Sequence, residues 1–361
     1  MKTSNVITAI SVAVLGLAMV GGTAVAQTPL KTVRVGFCAK TVSSAASPFA
    51  IATKYGWYEK AGFKVELVPL PGSTDCVKLV ATKEIPYSNP SVEPLAIITK
   101  QGIKAKTFYT GYQGFVYGIA VPADSPVTGF SQLKGKRIGV TSMASAGYIV
   151  ARALAAESGL NPDKDISIVV AGEAAQTAAL LRSGQVDALS QFDTQYALTE
   201  NAGAKLRHLD NPEIRHFPSN GFVALDETLQ QNRAEAVALA QGYAKGTIFA
   251  IANPAAAVRI LWEVFPQTKA TGKDEATALK DDVATLDARI KNFRLEAGGV
   301  SKWGESSEAN YAAYLAWLLK NGVLKEKVET KDVITNDLIA DINKFDAAEV
   351  TKLAQAYVAK K

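Results

Sequence analysis

The sequence has little of the chemistry from which metal sites and catalytic centres are usually built. It contains two cysteines, Cys38 and Cys76, and two histidines, His208 and His216, among 361 residues. So few ligands exclude zinc sites that need four cysteine or histidine side chains close together. Both histidines lie near proline-marked loops without a surrounding carboxylate pattern. We interpret each as a surface or packing residue, with a general base as the alternative, and we predict no metal or other cofactor.

The sequence also lacks any long run of lysine or arginine. Its 39 basic and 34 acidic residues give a formal net charge of +5, and the excess is spread along the chain. Nucleic acid is therefore excluded as an expected partner, because phosphate backbones are bound by clustered positive charge. A mild excess is compatible with a small anionic ligand but does not require one.

The common motifs of phosphate binding and nucleophilic catalysis are missing. There is no G-x-x-x-x-G-K-[ST] loop, no G-x-G-x-x-G after a strand and no G-x-S-x-G elbow. Residues 131–134 (SQLK) match the S-x-x-K pattern of serine-acylating enzymes, but the partner motifs of that class are absent. This inventory favours a binding protein over an enzyme.

Residues 1–26 have the features of a secretory signal peptide. Lys2 is the only charged residue before Lys31, residues 6–20 are largely apolar, and residues 24–26 (AVA) form a small-x-small cleavage pattern. An uncleaved anchor is the alternative, since about 20 apolar residues can span a bilayer. Cleavage before Gln27 predicts a soluble protein exported to the periplasm.

From residue 32 onward, short apolar runs alternate with amphipathic helical stretches, which is the pattern of a mostly parallel α/β sheet. The predicted strands lie near residues 33–37, 64–68, 107–109, 116–121, 137–140, 166–171, 186–189 and 222–225. The predicted helices lie near residues 47–62, 75–83, 91–102, 145–159, 173–183 and 193–203, and nearly everything after Asp226 is predicted to be helical. Ser47 and Pro48 suit the N-cap and first position of a helix. Tyr311, Tyr314 and Trp317, at helical spacing, are predicted to belong to the core.

Three segments resemble one family of periplasmic solute-binding proteins, those for nitrate, sulfonate, taurine and thiamine precursors that serve ABC importers. Residues 56–67 (GWYEKAGFKVEL) resemble the family's GWF..EGL.VEL stretch. Residues 133–140 (LKGKRIGV) and 181–188 (LRSGQVDA) resemble its LKGK.IGV and L..G.VDA segments. The order and spacing of these segments agree with the family over residues 33–225, whereas the C-terminal region resembles it only in being helical.

The resemblance implies a type II periplasmic binding fold, with two α/β lobes, two crossover strands, a ligand cleft between the lobes and a helical C-terminal region. Lobe one would comprise residues 27–118 and 221–361, and lobe two residues 119–220. Hinged closure around a ligand is usual for this architecture. We expect the hinge near residues 119–121 and 220–222.

The candidate site follows from a rule that does not depend on the family. Ligands of open α/β sheets bind beyond the carboxyl ends of strands, near helix N-termini. In lobe one the rule selects Phe37, Cys38, Ser73, Thr74, Asp75, Ser88, Asn89, Tyr109 and Tyr112. In lobe two it selects Ser142, Ser145, Gln191, Phe192 and Asp193. Helix capping is the alternative role for the hydroxyl residues, and half-buried packing is the alternative for the tyrosines.

Cys38 and Cys76 follow successive strand ends in lobe one. Their Cα atoms could therefore lie within the roughly 4.4–6.8 Å that a disulfide requires. An exported compartment permits oxidation. We predict a disulfide, and two free thiols, one of them touching the ligand, are the alternative.

The N-terminus of the helix near Ser145 is the predicted site for an anionic head group. Its first amides lack intrahelical acceptors, and the helix dipole places partial positive charge there. Ser142, Ser145 and the small Gly147 would leave that end open to a ligand oxygen. In the alternative, Ser145 simply caps the helix and Ser142 faces water.

The resulting hypothesis is a monomeric receptor that closes on a small organic anion, a sulfonate or a carboxylate, and presents it to the membrane permease of an ABC importer. The predicted aromatic lining favours an organic ligand over an inorganic anion. One alternative is binding of a thiamine-pyrimidine precursor, or its biosynthesis by an enzyme on the same fold. The chain lacks the cysteine-rich run that the related enzymes use with histidine and iron. A second alternative is a sensor-type receptor that docks on a signalling protein.

Overall fold

The computed structural model describes residues 29–358, so the predicted signal peptide lies outside the described residues. The described chain folds into two five-stranded sheets flanked by helices and a helical C-terminal region. This arrangement confirms the predicted α/β class and two-sheet architecture. Between residues 29 and 358, no helix is both long enough and apolar enough to cross a membrane.

The first sheet has the strand order β2-β1-β3-β10-β4. Its strands are β1 (Lys31–Phe37), β2 (Phe63–Pro69), β3 (Tyr87–Ser88), β4 (Ala105–Thr110) and β10 (Gly221–Leu225). β1 pairs in parallel with β2 and β3, whereas β10 returns from the second sheet and pairs antiparallel with β3 and β4. The carboxyl ends of β1 and β3 therefore meet at one edge of this sheet.

The second sheet has the order β7-β6-β8-β5-β9. Its strands are β5 (Ala120–Pro122), β6 (Arg137–Val140), β7 (Ser167–Val170), β8 (Ala188–Leu189) and β9 (Leu206–His208). β6 pairs in parallel with β7 and β8, and β5 pairs antiparallel with β8 and β9. β9 was not predicted from the sequence, because its three residues are too few to show an alternating pattern.

The helices fall into two groups. Those that alternate with the strands are α1 (Ser47–Lys54), α2 (Ser73–Ala81), α3 (Val92–Thr99), α4 (Ala146–Glu157), α5 (Ala174–Arg182) and α6 (Asp193–Asn201). Those of the C-terminal region are α7 (Asp226–Gln231), α8 (Arg233–Ala252), α9 (Pro254–Val264), α10 (Glu275–Phe293), α11 (Leu295–Gly298), α12 (Glu308–Lys320), α13 (Thr330–Val333), α14 (Ile339–Ile342) and α15 (Ala347–Gln355). α10 packs against α6, α9 and the turn at residues 44–46.

Local chemistry explains where several of these helices begin. Asn253 caps α9 through a 3.0 Å hydrogen bond from the amide of Ala256. The predicted cap at Ser47 is wrong by one position, because α1 begins at Ser47 itself. The Ser47 hydroxyl instead donates to the carbonyl oxygen of Ser44, 2.7 Å away, in the preceding turn.

Two side-by-side segments, residues 111–119 and 209–220, connect the sheets. The amides of Gly111 and Tyr112 both donate to the carbonyl oxygen of Asn220, at 3.0 and 2.9 Å, and the amide of Ser219 donates to Tyr112. The strand predicted over residues 116–121 is therefore shorter in the structure, where β5 begins at Ala120. Of the preceding residues, Val116 accepts a hydrogen bond from the amide of Asp193, Tyr117 pairs with Phe192, and Ile119 accepts from the amide of Leu209 in the other connection.

Aromatic rings form much of the core beneath the first sheet. Phe49, Phe222 and Tyr243 meet edge to face, with ring centroids 4.8–5.7 Å apart. Tyr311, Tyr314 and Trp317 are buried, as predicted from their spacing. Each such ring removes a large apolar area from water, which stabilises the layer between sheet and helices.

A disulfide joins Cys38, just after β1, to Cys76 in α2, with their Cα atoms 5.9 Å apart. It attaches the loop that follows β1 to a helix of the same lobe. The bridge closes a loop with a sequence separation of 38 residues. In the chain-entropy account, a loop of this length lowers the entropy of the unfolded chain enough to stabilise the fold by about 4 kcal/mol.

We predict that both cysteines resist alkylation unless a reductant is added, and that the double substitution Cys38→Ser/Cys76→Ser lowers the free energy of unfolding by about 2–4 kcal/mol. Mass spectrometry of alkylated protein purified from periplasm reports the thiol state, and urea denaturation reports stability. Two labelled cysteines without reductant would contradict the prediction.

Candidate ligand-binding site

A narrow cavity lies between the two sheets, where the carboxyl ends of β1, β3 and β8 approach the crossover segments and α10. Its lining residues are Phe37, Cys38, Ala39, Ser43, Ala45, Asn89, Tyr112, Val116, Tyr117, Phe192, Thr194, Asn220 and Arg289. The space open to the centres of water-sized spheres is about 30 Å³, which is room for one or two ordered waters. An organic ligand therefore requires side chains or lobes to move apart.

Arg289 carries the one formal charge among the described residues that line this cavity. Its side chain is only 3% exposed. Its Nε lies 3.0 and 2.9 Å from the two carboxylate oxygens of Asp193, and its Nη2 lies 2.6 Å from Oδ1. The guanidinium carbon lies 3.9 Å from the centroid of the Tyr112 ring, a cation–π contact. Ion pair and ring together fix the orientation of the guanidinium plane.

Asp193 does not line the cavity, and its carboxylate forms the ion pair with Arg289. Its Oδ1 accepts a further hydrogen bond from the amide of Thr194, at 2.6 Å, and its Oδ2 accepts one from Nδ2 of Asn292, at 2.9 Å. With these partners the carboxylate is fully engaged. Burial opposes the charge on Arg289, but the attraction of Asp193 outweighs burial and raises the pKa of Arg289 above its usual range. The guanidinium therefore stays cationic.

Five polar groups of the lining have no hydrogen-bond partner among residues 29–358. They are Nη1 of Arg289, the hydroxyls of Ser43, Tyr112 and Thr194, and the side-chain amide of Asn89; Oγ1 of Thr194 and Oδ1 of Asn89 are completely buried. Buried polar atoms are nearly always hydrogen bonded, and leaving one unpaired costs about 1–3 kcal/mol. These groups are therefore suited to a ligand.

Five of the sequence-predicted site residues line the cavity: Phe37, Cys38, Asn89, Tyr112 and Phe192. They follow strand ends or occupy the first crossover. The strand-end rule thus locates the cavity, although it also selects residues that the structure places elsewhere.

Five other predicted residues do not line the cavity and have partners of their own. Ser73 accepts a hydrogen bond from the amide of Ser91, Ser88 donates to the carbonyl oxygen of Cys76, and Gln191 donates to that of Gly172. Tyr109 packs against Phe222 and Tyr243 in the core, which is the packing alternative. Asp193 is the fifth. Thr74 and Asp75 do not line the cavity either.

Ser142 and Ser145 also lie outside the cavity lining. The Ser145 hydroxyl accepts a hydrogen bond from the amide of Gly147, at 3.1 Å, so it caps α4 as the alternative proposed. The Ser142 hydroxyl donates to the carbonyl oxygen of Pro71, 2.8 Å away in the first lobe, and does not face water. The expectation that Gly147 leaves this end open is wrong, because a Cβ there would lie 2.1 Å from the carbonyl oxygen of Ser190.

The loop around Ser145 instead forms a close contact between the lobes. The amide of Thr74 donates to the carbonyl oxygen of Ala144, at 3.1 Å. Gly72 permits this approach, because a Cβ at that position would lie 2.3 Å from the same oxygen. Another inter-lobe hydrogen bond runs from the Thr41 hydroxyl to Glu173, over 2.6 Å.

Arg289 is the principal site residue that was not predicted. It lies in the C-terminal helical region, to which the strand-end rule does not apply. A signal was present in its spacing: Thr285, Arg289 and Phe293 recur every four residues, and all three are buried in α10. An arginine on the apolar face of a helix indicates a buried charge that needs a partner.

Neither histidine lines the cavity. His208 packs edge to face on Tyr196, and burial lowers the pKa of His208, opposed in part by Glu200. Within residues 29–358, no group of three or more histidine, cysteine, aspartate or glutamate side chains is arranged to hold a metal ion.

The fold resembles those of several solved proteins. A protein from Bordetella bronchiseptica RB50 is 21% identical, with a TM-score of 0.68 and coverage of 87% of this chain and 97% of that chain. The alkanesulfonate-binding protein SsuA from Xanthomonas axonopodis pv. citri, bound to MOPS, is 17% identical, with a TM-score of 0.62 and coverage of 86% and 99%. The periplasmic nitrate-binding protein NrtA from Synechocystis PCC 6803 is 16% identical, with a TM-score of 0.60 and coverage of 91% and 98%.

Together with the two sheets and the cavity between them, these likenesses define the class as the two-lobed fold of type II periplasmic binding proteins. The chain belongs to the NMT1/THI5-like family, whose model matches residues 44–257, more than half of its length. A search of curated protein sequences finds no match to it. The family resemblance carried by residues 56–67, 133–140 and 181–188 is thus confirmed.

Glu93 is a fully buried carboxyl near the cavity wall. It accepts a hydrogen bond from the Tyr314 hydroxyl through Oε1, while Oε2 has no partner among residues 29–358. Burial raises the pKa of Glu93, and the neighbouring hydroxyls of Ser91 and Tyr314 offset this only in part. Because the folded state holds this proton more tightly than the unfolded state, the associated stability is greatest at low pH and falls as pH rises through the folded pKa.

We predict that Glu93→Gln, which keeps an acceptor for Tyr314 but does not titrate, loses less stability than the wild type as pH rises from 4 to 8. The free energy of unfolding should be measured by urea denaturation across this range. The difference between variant and wild type should grow with pH in favour of the variant. Parallel curves for the two proteins would contradict the raised pKa.

Proposed function

We propose that the protein is a periplasmic receptor that binds a small organic anion, a carboxylate or a sulfonate, and delivers it to the membrane permease of an ABC importer. The main support is the environment of Arg289. This buried cation has an unpartnered Nη1, and the lining of its cavity includes no acidic side chain. Such a site favours a ligand with one negative charge, since two of the five N–H groups of the arginine already bond to Asp193.

The remaining lining supports an organic body for this anion. Phe37, Tyr112, Tyr117 and Phe192 present aromatic surface, and Val116 adds aliphatic surface. An inorganic oxyanion would leave most of that surface without a partner. Family membership and a fold shared with sulfonate-binding and nitrate-binding proteins support a transport role.

The head group in this proposal is held by Arg289 and Thr194, and not at the N-terminus of α4. The amide of Gly147 is already bonded to Ser145, and the Ser142 hydroxyl is bonded to Pro71. Arg289 and Thr194, by contrast, both offer donors for which residues 29–358 provide no acceptor. We propose that closure brings lobe one (residues 27–118 and 221–361) and lobe two (residues 119–220) together around this head group.

Periplasmic export and a monomeric state are further parts of the proposal. The signal-peptide pattern of residues 1–26 supports periplasmic location. The receptor would act as a monomer without a cofactor, since hydrogen bonding and closure suffice for capture. A receptor returns its ligand unchanged, whereas an enzyme on the same fold would release a product.

We predict that a thermal-shift screen of carboxylates, sulfonates, pyrimidines, nitrate and sulfate selects organic monoanions. A ligand at 100 times its Kd should stabilise the fold by about 2.7 kcal/mol. Recovery of unaltered ligand after incubation, measured by mass spectrometry, distinguishes capture from turnover. Selection of inorganic anions or neutral pyrimidines alone would contradict the proposal.

We further predict that Asp193→Asn/Arg289→Gln binds the selected anion about 10–150-fold more weakly, because a hydrogen bond to a charged group contributes roughly 1.5–3 kcal/mol. Removing both charges avoids leaving one buried and unpaired. The control is Arg137→Gln. Arg137 is a partly exposed arginine paired with Asp187, and this variant should bind like the wild type. Wild-type affinity in the double variant would place the head group elsewhere.

A further inference from the structure

Asn89 has a fixed backbone and an unpartnered side chain at the cavity. Its amide N–H donates to the carbonyl oxygen of Gly36, at 3.0 Å, and its own carbonyl oxygen accepts from Nδ2 of Asn220, at 2.8 Å. The residue is 4% exposed, and its Oδ1 is completely buried without a hydrogen bond. Neither atom of the side-chain amide bonds to any of residues 29–358.

The unpartnered groups of the lining differ in the hydrogen-bonding partner that they require. Arg289 can only donate, and the Thr194 hydroxyl can donate, so the oxygens of one head group can satisfy both. The Asn89 amide always presents an acceptor as well as donors, whichever way its two terminal atoms are assigned. An anion with oxygens alone cannot satisfy that acceptor.

We propose that the ligand carries a neutral hydrogen-bond donor, such as a hydroxyl group, that Asn89 accepts in addition to the anionic head group held by Arg289. This inference rests on the proposed function and narrows its ligand class to hydroxylated organic acids. A neutral donor is favoured over an ammonium group, because no acidic side chain lines the cavity to balance a second positive charge. Nitrate and sulfate, which have no donor at neutral pH, satisfy only part of the site.

The proposal is tested by isothermal titration calorimetry on the full mature chain, with acids that differ only by a hydroxyl group. Lactate and 3-hydroxypropionate are compared with propionate, and 2-hydroxyethanesulfonate is compared with ethanesulfonate. At least one hydroxylated acid should bind about 5–150-fold more tightly than its parent, because the parent leaves a buried acceptor unpaired at a cost of roughly 1–3 kcal/mol.

Substitution then assigns the preference to Asn89. In Asn89→Leu and in Asn89→Ala, the preference for the hydroxylated acid should fall to near one while the parent acid binds at least as well as before. Asn321→Leu is the matched control, because Asn321 is also a buried asparagine with an unpartnered Nδ2 but does not line the cavity. It should keep the wild-type preference.

The outcomes separate this inference from the function on which it rests. Equal affinities within each set, measured in the wild type, overturn the inference and leave an organic-anion receptor in place. A preference that persists in both Asn89 variants also overturns it, and the wild-type comparison decides alone if neither variant folds. Failure of all five acids to bind contradicts both the inference and the proposed function.

Discussion

The buried ion pair between Asp193 and Arg289 is the interaction on which the site depends. Each of these charges would cost several kcal/mol to bury alone, so neither residue is tolerated in the interior without the other. Asp193 begins α6, and Arg289 lies in α10, which also packs against α9 and the turn at residues 44–46. The pair therefore joins α10 to the start of α6.

The same pair determines which hydrogen-bond donors of the cavity remain available to a ligand. Asp193 takes Nε and Nη2 of Arg289 and is itself saturated by Thr194 and Asn292. The cavity consequently presents one cation, Arg289, whose Nη1 has no hydrogen bond to residues 29–358, together with aromatic rings and unpartnered polar side chains. Around it, the disulfide attaches the loop after β1, which contributes Cys38 to the wall.

Much of the fold was predictable because each element leaves a local pattern. The alternation in residues 64–68 and the apolar run in 222–225 mark β2 and β10, and Asn253 with Pro254 marks the start of α9. Long-range contacts leave weaker patterns. The short strands β3 and β9 depend on partners distant in sequence and were not predicted. The crossovers were expected near residues 119–121 and 220–222, at the ends of the connecting segments 111–119 and 209–220.

The site was predictable only in part, for a related reason. Strand ends point to Phe37, Asn89 and Phe192, because parallel strands deliver their carboxyl ends to one edge of a sheet. The same rule cannot distinguish Ser145, which satisfies its own helix, from a hydroxyl left free for a ligand. The rule also does not select Arg289, because this residue is positioned in the cavity by its ion pair with Asp193 and not by a strand.

The most direct test of this account is a crystal structure of the protein grown with 2-bromoethanesulfonate, with the bromine located by anomalous scattering. The account predicts a bromine peak in the cavity and a sulfonate oxygen about 2.7–3.1 Å from Nη1 of Arg289, a charge-assisted hydrogen bond. A sulfonate bound instead at the N-terminus of α4, beside Ser142 and Ser145, would contradict it.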